Sequence, residues 1–199
     1  MICPVFGAYF SLYIMVDLFN YTRRASSVAH IGALDLGGDN PIRIQSMTTT
    51  NTNDTDACVR QAEEIIKAGG ELVRFTTQGS REAENMKNIN AGIRADGYQT
   101  PLVADVHFNP NVADVAALYC EKVRVNPGNY VDPARKFIKQ EYTDEEYAHE
   151  LQKIEERFVP FLNICKEHHT AIRIGVNHGS LSDRIRNRYG DTPEGIVES

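Results

Sequence analysis

The chain has 199 residues, of which 42% are hydrophobic and 24% charged, which is the composition of a globular domain. Its net charge of −6 excludes a generally basic surface of the kind that binds nucleic acids. Any site for an anion must therefore be built from locally placed Arg and Lys side chains.

The first segment differs in character from the rest of the chain. Residues 2–16 (ICPVFGAYFSLYIMV) carry no charge and are mostly apolar. The segment is shorter than the about 20 residues of a membrane-spanning helix, and no basic residues precede it as in a signal peptide. We therefore expect residues 1–16 to lie outside the domain at 17–199, with residues 1–14 an upstream extension from a misplaced start codon. A weak membrane anchor is the alternative interpretation.

A short strand followed by a helix recurs from residue 41 onward. Runs rich in Val, Ile and Phe, bounded by turn residues, indicate the strands. The register of the first strand is open, because Gln45 and Ser46 can each be placed on either face. The five predicted strands are 41–47, 72–76, 101–108, 122–126 and 171–177.

Helical spacing of apolar residues and capping residues predict the segments between the strands. Pro160 is expected to kink or split a long helix over 144–169. Thr192 and Pro193 have the N-cap and first-turn chemistry of a helix start. The predicted helices start at Asp54 or Thr55 and stop at Gly69-Gly70, span 82–95, start at Asn109 or Asn111, span 144–169, and start at Thr192.

Strands that alternate with helices predict an α/β fold with a parallel sheet. An open doubly wound sheet and a (β/α)8 barrel both fit this pattern, and a complete barrel needs about 250 residues. The chain stops about one turn into the helix that starts at Thr192. We therefore expect the N-terminal part of a (β/α)8 TIM barrel, with about five βα units present and further strands to follow.

One face of each predicted strand is apolar, and the other carries charged or amide side chains toward its carboxyl end. Alternation along a strand places Asp105 and His107 on the same face. Such residues are unusual in parallel strands, which are normally apolar on both faces, and burying an unpaired Arg is costly. The polar faces carry Arg74, Asp105, His107, Arg124, Asn126, Arg173 and Asn177.

The three arginines of these faces require negative partners. Asp105 supplies one charge. A diphosphate can accept forked hydrogen bonds from the remaining guanidinium groups, and barrel active sites lie at this end of the strands. An internal salt-bridge network, completed by acids from another part of the protein, is the alternative interpretation.

Two loops that follow strands contain the same kinds of residue. They are Asn126-Pro-Gly-Asn129 and Asn177-His-Gly-Ser180, in which Gly permits a tight turn and the amides and Ser180 can donate to phosphate oxygens. His107 is interpreted as a hydrogen-bonding residue, because Asp105-x-His107 alone is a weak metal-binding pattern.

The four cysteines, Cys3, Cys58, Cys120 and Cys165, lie far apart in the sequence. Zinc and iron–sulfur sites favour closely spaced cysteines, and disulfide frameworks favour small secreted chains. We therefore expect reduced, mostly buried thiols in a cytoplasmic protein, and no metal ligand within this chain.

Four motifs, in order, resemble the larger form of the 4-hydroxy-3-methylbut-2-enyl diphosphate synthase family. They are Gln45-Ser-Met-Thr48, Leu102-Val-Ala-Asp-Val-His-Phe108, Arg124-Val-Asn-Pro-Gly-Asn129 and Ile172-Arg-Ile-Gly-Val-Asn-His-Gly-Ser180. The resemblance covers the chain from about Asp17 to Ser199, and four ordered motifs are far more specific than any one of them.

The resemblance implies an oxidoreductase of the non-mevalonate isoprenoid pathway. Its substrate would be 2-C-methyl-D-erythritol 2,4-cyclodiphosphate, which loses a hydroxyl as water and takes up two electrons. A [4Fe–4S] cluster, held by a C-terminal domain outside this chain, would deliver electrons from reduced flavodoxin or ferredoxin. The chain alone is expected to be inactive, and no catalytic residue is assigned within it.

By motif match, the barrel would bind the diphosphate. Neither a nucleic acid nor a membrane is expected as a partner, and homodimerisation is left open. Two other functions are carried forward: a barrel transferase similar to the pterin-binding synthases, and a truncated remnant without catalysis. The substrate-binding residues implied by the resemblance are Arg74, Asp105, His107, Arg124, Asn126, Asn129, Arg173, Asn177 and Ser180.

Overall fold

The computed structural model describes residues 24–106, 109–131 and 141–199. Seven strands and six helices lie along these ranges, alternating from the third strand to the seventh, and two short 3-10 turns lie at Pro127–Asn129 and His178–Ser180. The strands are β1 (Val28–Ile31), β2 (Leu34–Gly37), β3 (Gln45–Met47), β4 (Leu72–Thr76), β5 (Leu102–Asp105), β6 (Lys122–Val125) and β7 (Ala171–Ile174). The helices are α1 (Thr55–Lys67), α2 (Ser80–Ala95), α3 (Pro110–Ala117), α4 (Asp144–Glu167), α5 (Asp183–Tyr189) and α6 (Pro193–Glu198).

The strands β3 to β7 form one parallel sheet in the order of the chain. This confirms the predicted parallel sheet of five strands. Its order never reverses, whereas a doubly wound sheet reverses at its switch point. The observed sheet is therefore consistent with part of a (β/α)8 barrel and not with the doubly wound alternative.

Three strands end earlier than predicted. The strands end at Asp105, Val125 and Ile174, whereas the sequence predicts strands to 108, 126 and 177. Asn126 and Asn177 instead precede the two 3-10 turns, because the Pro, Gly and Ser residues after them favour turns over extended backbone. His107 and Phe108 lie outside the described residues.

The first strand of the sheet is shorter than predicted, at 45–47 instead of 41–47. Pro41 has no backbone N–H to donate to a neighbouring strand. The Arg43 side chain donates to the Asp35 carbonyl and to the Glu71 carboxylate. The register resolves the open orientation, since Gln45 pairs with Leu72 on the inward face. Ser46 therefore lies on the opposite face.

An antiparallel hairpin of β1 and β2 precedes the sheet and has no counterpart in the sequence-based prediction. Gly32 makes its turn with φ +57°, a conformation that favours glycine. Ile31 is 1% exposed and packs against Leu72 and Val103, near the amino ends of β4 and β5. The hairpin thus covers the inward face at the end of the sheet opposite to the polar residues.

Capping side chains define where the helices begin. Asp54 accepts from the Ala57 amide at 3.0 Å, and Asn109 accepts from the Asn111 amide at 3.1 Å, so each open alternative resolves to the earlier residue. Thr192 accepts from the Gly195 amide at 3.2 Å, as predicted. The second helix starts at Ser80, two residues earlier than predicted, and α5 was not predicted.

The long helix α4 continues through Pro160 without a break, so the expected split does not occur. Phe158 and Phe161 lie on either side of the proline and pack against Tyr130, with ring centroids 5.2 and 5.9 Å away. This packing holds both halves of the helix against the core, and it compensates for the loss of the hydrogen bond that Pro160 cannot donate.

The helices α1 to α4 cover the apolar face of the sheet. Val73, Phe75, Ala104 and Val123 on that face are fully buried in one cluster with residues of these four helices. Cys58, Cys120 and Cys165 are free and buried, which confirms the predicted thiols for the described part of the chain, while Cys3 lies outside it. Between residues 24 and 199, no described helix has the length and apolarity to cross a membrane.

Candidate substrate-binding site

The inward face of the sheet brings the predicted charged residues into adjoining rows. The register pairs Asp105 with Arg124, and Arg124 with Arg173, so these three side chains form one row across β5, β6 and β7. Arg74 on β4 lies two residues nearer the amino ends of the strands, because it pairs with Val103 while Thr76 pairs with Asp105. Paired residues of parallel strands point to the same face, so all four side chains enter the same space.

Asp105 is the acid at the centre of this group. Its carboxylate forms an ion pair with Nη2 of Arg74, and Nη1 of Arg124 lies 3.5 Å from its Oδ1. The Asp105 side chain is 2% exposed, against 10% for Arg124 and 22% for Arg74. This buried carboxylate, with a guanidinium group on either side, holds both arginines in the interior.

Arg173 completes the row. It is exposed and has no ion pair within the described ranges. Its charge acts on its neighbours. The pKa of Arg124 is lowered, first by burial and then by Arg74 and Arg173, while Asp105 acts in the opposite direction. One carboxylate thus faces three guanidinium groups, and this local excess of positive charge favours an anion.

A fourth cation on the same face was not identified from the sequence. Lys122 starts β6, is 6% exposed and shares the inward face with Arg124, two residues later. Its pKa is lowered by burial, then by Arg173 and Arg74. The alternation that placed Arg124 inward applies equally to Lys122, so the signal was present in the sequence.

Lys122 and Arg173 also reach a cavity of about 450 Å³ on the inward side of the sheet. Its other walls are mainly apolar, with Ile31 and Leu36 from the hairpin and Leu72 from β4, while Arg43 and Gln45 contribute polar groups. The charged row therefore lies between an apolar floor, formed by the hairpin, and the loops at the carboxyl ends of the strands.

Those loops carry the remaining predicted residues. Asn126 is 2% exposed, and its Nδ2 donates long hydrogen bonds to the carbonyl and Oγ of Ser180, at 3.4 and 3.5 Å. The backbone N–H of Asn177 donates to Ser180 Oγ at 3.2 Å, and Asn177 itself is exposed. The loops after β6 and β7 are thus joined, and they bring Asn126, Asn177 and Ser180 together near the charged row.

Two predicted residues cannot be placed as side chains. Asn129 ends the 3-10 turn after β6, and only its backbone position is described. His107 lies outside the described residues. Their roles remain predictions from the sequence.

The described cysteines do not fit an iron–sulfur cluster. Cys58 is on α1, Cys120 follows α3 and Cys165 is on α4, and all three are buried among apolar residues. Burial raises the pKa of each thiol, to about 12 for Cys165, whereas a cluster is bound by thiolates. Throughout 24–106, 109–131 and 141–199, no group of three His, Cys, Asp or Glu side chains is arranged to hold a metal ion.

The described residues of the inward face are suited to binding and orienting an anion, and none of them is a redox group. Arg124 and Arg173 present guanidinium donors in one row, and planar donors of this kind match phosphate oxygens in pairs. Asp105 supplies the counter-charge that keeps Arg74 and Arg124 inside the sheet in the absence of a ligand.

Comparison with known proteins identifies close relatives. Residues 26–199 match the family model of the GcpE TIM-barrel domain. A protein of Phocaeicola vulgatus named 4-hydroxy-3-methylbut-2-en-1-yl diphosphate synthase (flavodoxin) is 76% identical over 184 residues, which are 92% of this chain and 30% of the relative.

Relatives with the same name occur in other bacteria. One from Bacteroides thetaiotaomicron is 74% identical over the same shares of both chains. One from Akkermansia muciniphila is 54% identical over 181 residues, or 91% of this chain and 31% of the relative. The chain thus spans about 30% of the length of the curated relatives it matches.

Proposed function

The chain belongs to the GcpE TIM-barrel family, and from this membership and its charged inward face we propose that it is the substrate-binding part of a 4-hydroxy-3-methylbut-2-enyl diphosphate synthase. The reaction is the two-electron reductive dehydroxylation of 2-C-methyl-D-erythritol 2,4-cyclodiphosphate in the non-mevalonate isoprenoid pathway. The observation that carries the proposal is the single row of Asp105, Arg124 and Arg173 at the carboxyl ends of neighbouring strands.

In this proposal the arginines bind the diphosphate. Arg124 and Arg173 donate forked hydrogen bonds to its oxygens, and Arg74 adds positive charge from the row below. Asp105 orients Arg74 and Arg124 before the substrate arrives, which lowers the ordering cost of binding.

The surrounding polar residues complete the site. Asn126, Asn177 and Ser180 lie on the two joined loops and are placed to contact the sugar hydroxyls or the phosphate oxygens. His107 and Asn129 are assigned to the same site from the motif match alone. These contacts would fix the orientation of the substrate, while the charged row supplies most of the affinity.

Electron transfer is assigned to a part of the enzyme other than the described residues. A [4Fe–4S] cluster would supply the two electrons, and the described cysteines do not fit its ligands. The names of the relatives specify flavodoxin, which makes flavodoxin the favoured donor over ferredoxin. Free thiols support a cytoplasmic location for this chain.

A chimeric enzyme tests this proposal. Residues 17–199 would replace the matching segment of the Phocaeicola vulgatus relative, whose sequence is 76% identical there. We expect the purified chimera to bind iron and to reduce the cyclodiphosphate with reduced flavodoxin, and the 199-residue chain to do neither. A chimera that folds and binds iron but shows no turnover would contradict the proposed function.

The same experiment addresses the two other functions. A transferase similar to the pterin-binding synthases needs no iron, so turnover of another phosphate-bearing substrate by an iron-free protein would favour that alternative. A truncated remnant would bind the substrate weakly or fail to fold, and calorimetric titration of the chain with the cyclodiphosphate would then show weak binding or none.

A further inference from the structure

Gly175 lies directly after β7, beside the charged row. Its amide donates to the Val125 carbonyl at 2.8 Å, so it continues the ladder between β6 and β7. It is two residues after Arg173 and therefore shares the inward face with it. The sequence places this glycine in the predicted strand 171–177, on the same face as Arg173, but gives no reason for the missing side chain.

The backbone at Gly175 does not require glycine. The glycines with left-handed φ among the described residues are 32, 37, 38, 69, 97 and 190, and Gly175 is not one of them. An alanine could adopt the same backbone conformation without strain. The reason for a glycine at this position therefore lies in the atoms packed around it and not in the backbone conformation.

Those surroundings are the guanidinium group of Arg124. A Cβ atom on Gly175 would overlap Nε of Arg124 and would lie 2.9 Å from both its Cζ and its Nη2. The guanidinium thus lies directly against the Gly175 backbone, with Asp105 3.5 Å away on the neighbouring strand. The Arg124 side chain is only 10% exposed, so it has little room in which to avoid an added methyl group.

We propose that Gly175 is a positioning residue for the anion site: its missing side chain lets Arg124 lie across β7, where the guanidinium meets both Asp105 and the diphosphate. An alanine at this position displaces Arg124 from the row and removes one of the donors to the ligand. The link to the ligand rests on the proposed function, whereas the steric relationship between Gly175 and Arg124 does not.

A double-mutant cycle on thermal unfolding tests the steric relationship without any ligand. We expect Gly175→Ala to lower the unfolding midpoint of the 199-residue chain by several degrees, and to lower it little or not at all in an Arg124→Ala background. Gly79→Ala is the matched control, because Gly79 has φ −127° and the nearest atom to its added Cβ, Glu82 Oε2, is 3.9 Å away. Its effect should be small and equal in both backgrounds.

The cycle also tests the steric relationship if Gly175→Ala does not fold. If Gly175→Ala does not fold but the double variant with Arg124→Ala does, the steric relationship is supported. If both fail to fold, or if Gly175→Ala lowers the midpoint equally in both backgrounds, the alanine collides with something other than Arg124 and the proposal is overturned.

Affinity for inorganic pyrophosphate, measured by calorimetry at constant ionic strength, tests the link to the ligand. We expect Gly175→Ala to raise the Kd about tenfold, as Arg124→Ala does, with no further loss in the double variant and no change in Gly79→Ala. Wild-type affinity in Gly175→Ala would overturn the positioning role. Absence of binding by the wild-type chain would count against the proposed function instead, and the unfolding cycle would still decide the steric claim.

Discussion

Asp105 on β5 forms an ion pair with Arg74 on β4, on the inward face of the sheet, where the carboxylate is 2% exposed. Arg124 approaches the same carboxylate from the other side, at 3.5 Å. The acid therefore links three neighbouring strands through side chains as well as through the backbone ladder. Both the stability of the sheet and the orientation of Arg74 and Arg124 depend on it.

We expect Asp105→Asn to destabilise the chain by about 3 kcal/mol, the lower end of the range for removing one partner of a buried ion pair. The lower end applies because Arg74 keeps 22% exposure and can be partly hydrated. Urea unfolding measures the loss. Glu84→Gln, an exposed acid on α2, is the control and should change the free energy of unfolding by less than about 0.5 kcal/mol. Equal effects of the two substitutions would show that Asp105 does not hold the arginines.

Lys122→Met should stabilise the chain at neutral pH by roughly 1–3 kcal/mol, the cost of burying an unpaired polar group. The pKa of Lys122 is lowered in the folded state, so the unfolded chain binds the proton more tightly. The charged lysine therefore penalises folding most fully below its folded pKa, and the penalty disappears as the pH rises toward the unfolded pKa. The advantage of Met should thus shrink as the pH rises above the lowered folded pKa and should be lost above about pH 10, the ordinary range of a lysine.

Urea unfolding at several pH values measures this dependence for Lys122. Lys87→Met, at an exposed position on α2, provides the comparison and should show no such dependence on pH. A gain at Lys122 that stays constant with pH would mean that packing, and not charge, determines it.

The three described cysteines should react slowly with thiol reagents in the folded chain. Burial raises the pKa of all three, to about 12 for Cys165, and only the thiolate is an efficient nucleophile. In a Cys3→Ser variant at about pH 8, we expect no rapid reaction with a disulfide reagent before unfolding, and three thiols to react after denaturant is added. A thiol that reacts at once in the native variant would contradict the buried state.

Phe161→Ala should cost about 3–5 kcal/mol, because Phe161 is fully buried where α4 packs against Tyr130. Leu162, the next residue on the same helix, is 38% exposed, and Leu162→Ala should cost about 1 kcal/mol or less. Chemical unfolding of both variants gives the comparison. Similar costs at the two positions would show that α4 does not pack on the core in this orientation.

Much of the fold could be predicted from the sequence because its signals are local. The N-terminal ends of α1 and α3 are fixed by capping side chains. The apolar and polar faces of β4 to β7 follow from alternation along each strand. The placement of Asp105, Arg124 and Arg173 on one face follows from the same alternation. Their arrangement in a single row required the register, which no pattern within one strand determines.

Other features depend on contacts between distant residues and gave little or no local signal. The hairpin strands have four residues each; β1 is mostly exposed and β2 is half-buried, and Ile31 is held by Leu72 and Val103, far along the chain. The inward placement of Gly175 follows from alternation along the strand, but its contact with Arg124 depends on where a long side chain crosses the next strand. The lack of an ion pair for Arg173 among the described residues is likewise a property of the assembled sheet.

Calorimetric titration of the 199-residue chain with 2-C-methyl-D-erythritol 2,4-cyclodiphosphate tests the central claim most directly. We predict saturable binding of one ligand per chain, weakened about ten- to a hundredfold by Arg124→Ala and by Arg173→Ala, since each removes charge-assisted hydrogen bonds to the anion. Absence of binding, or equal affinity in the wild-type chain and both variants, would contradict a diphosphate site on this face.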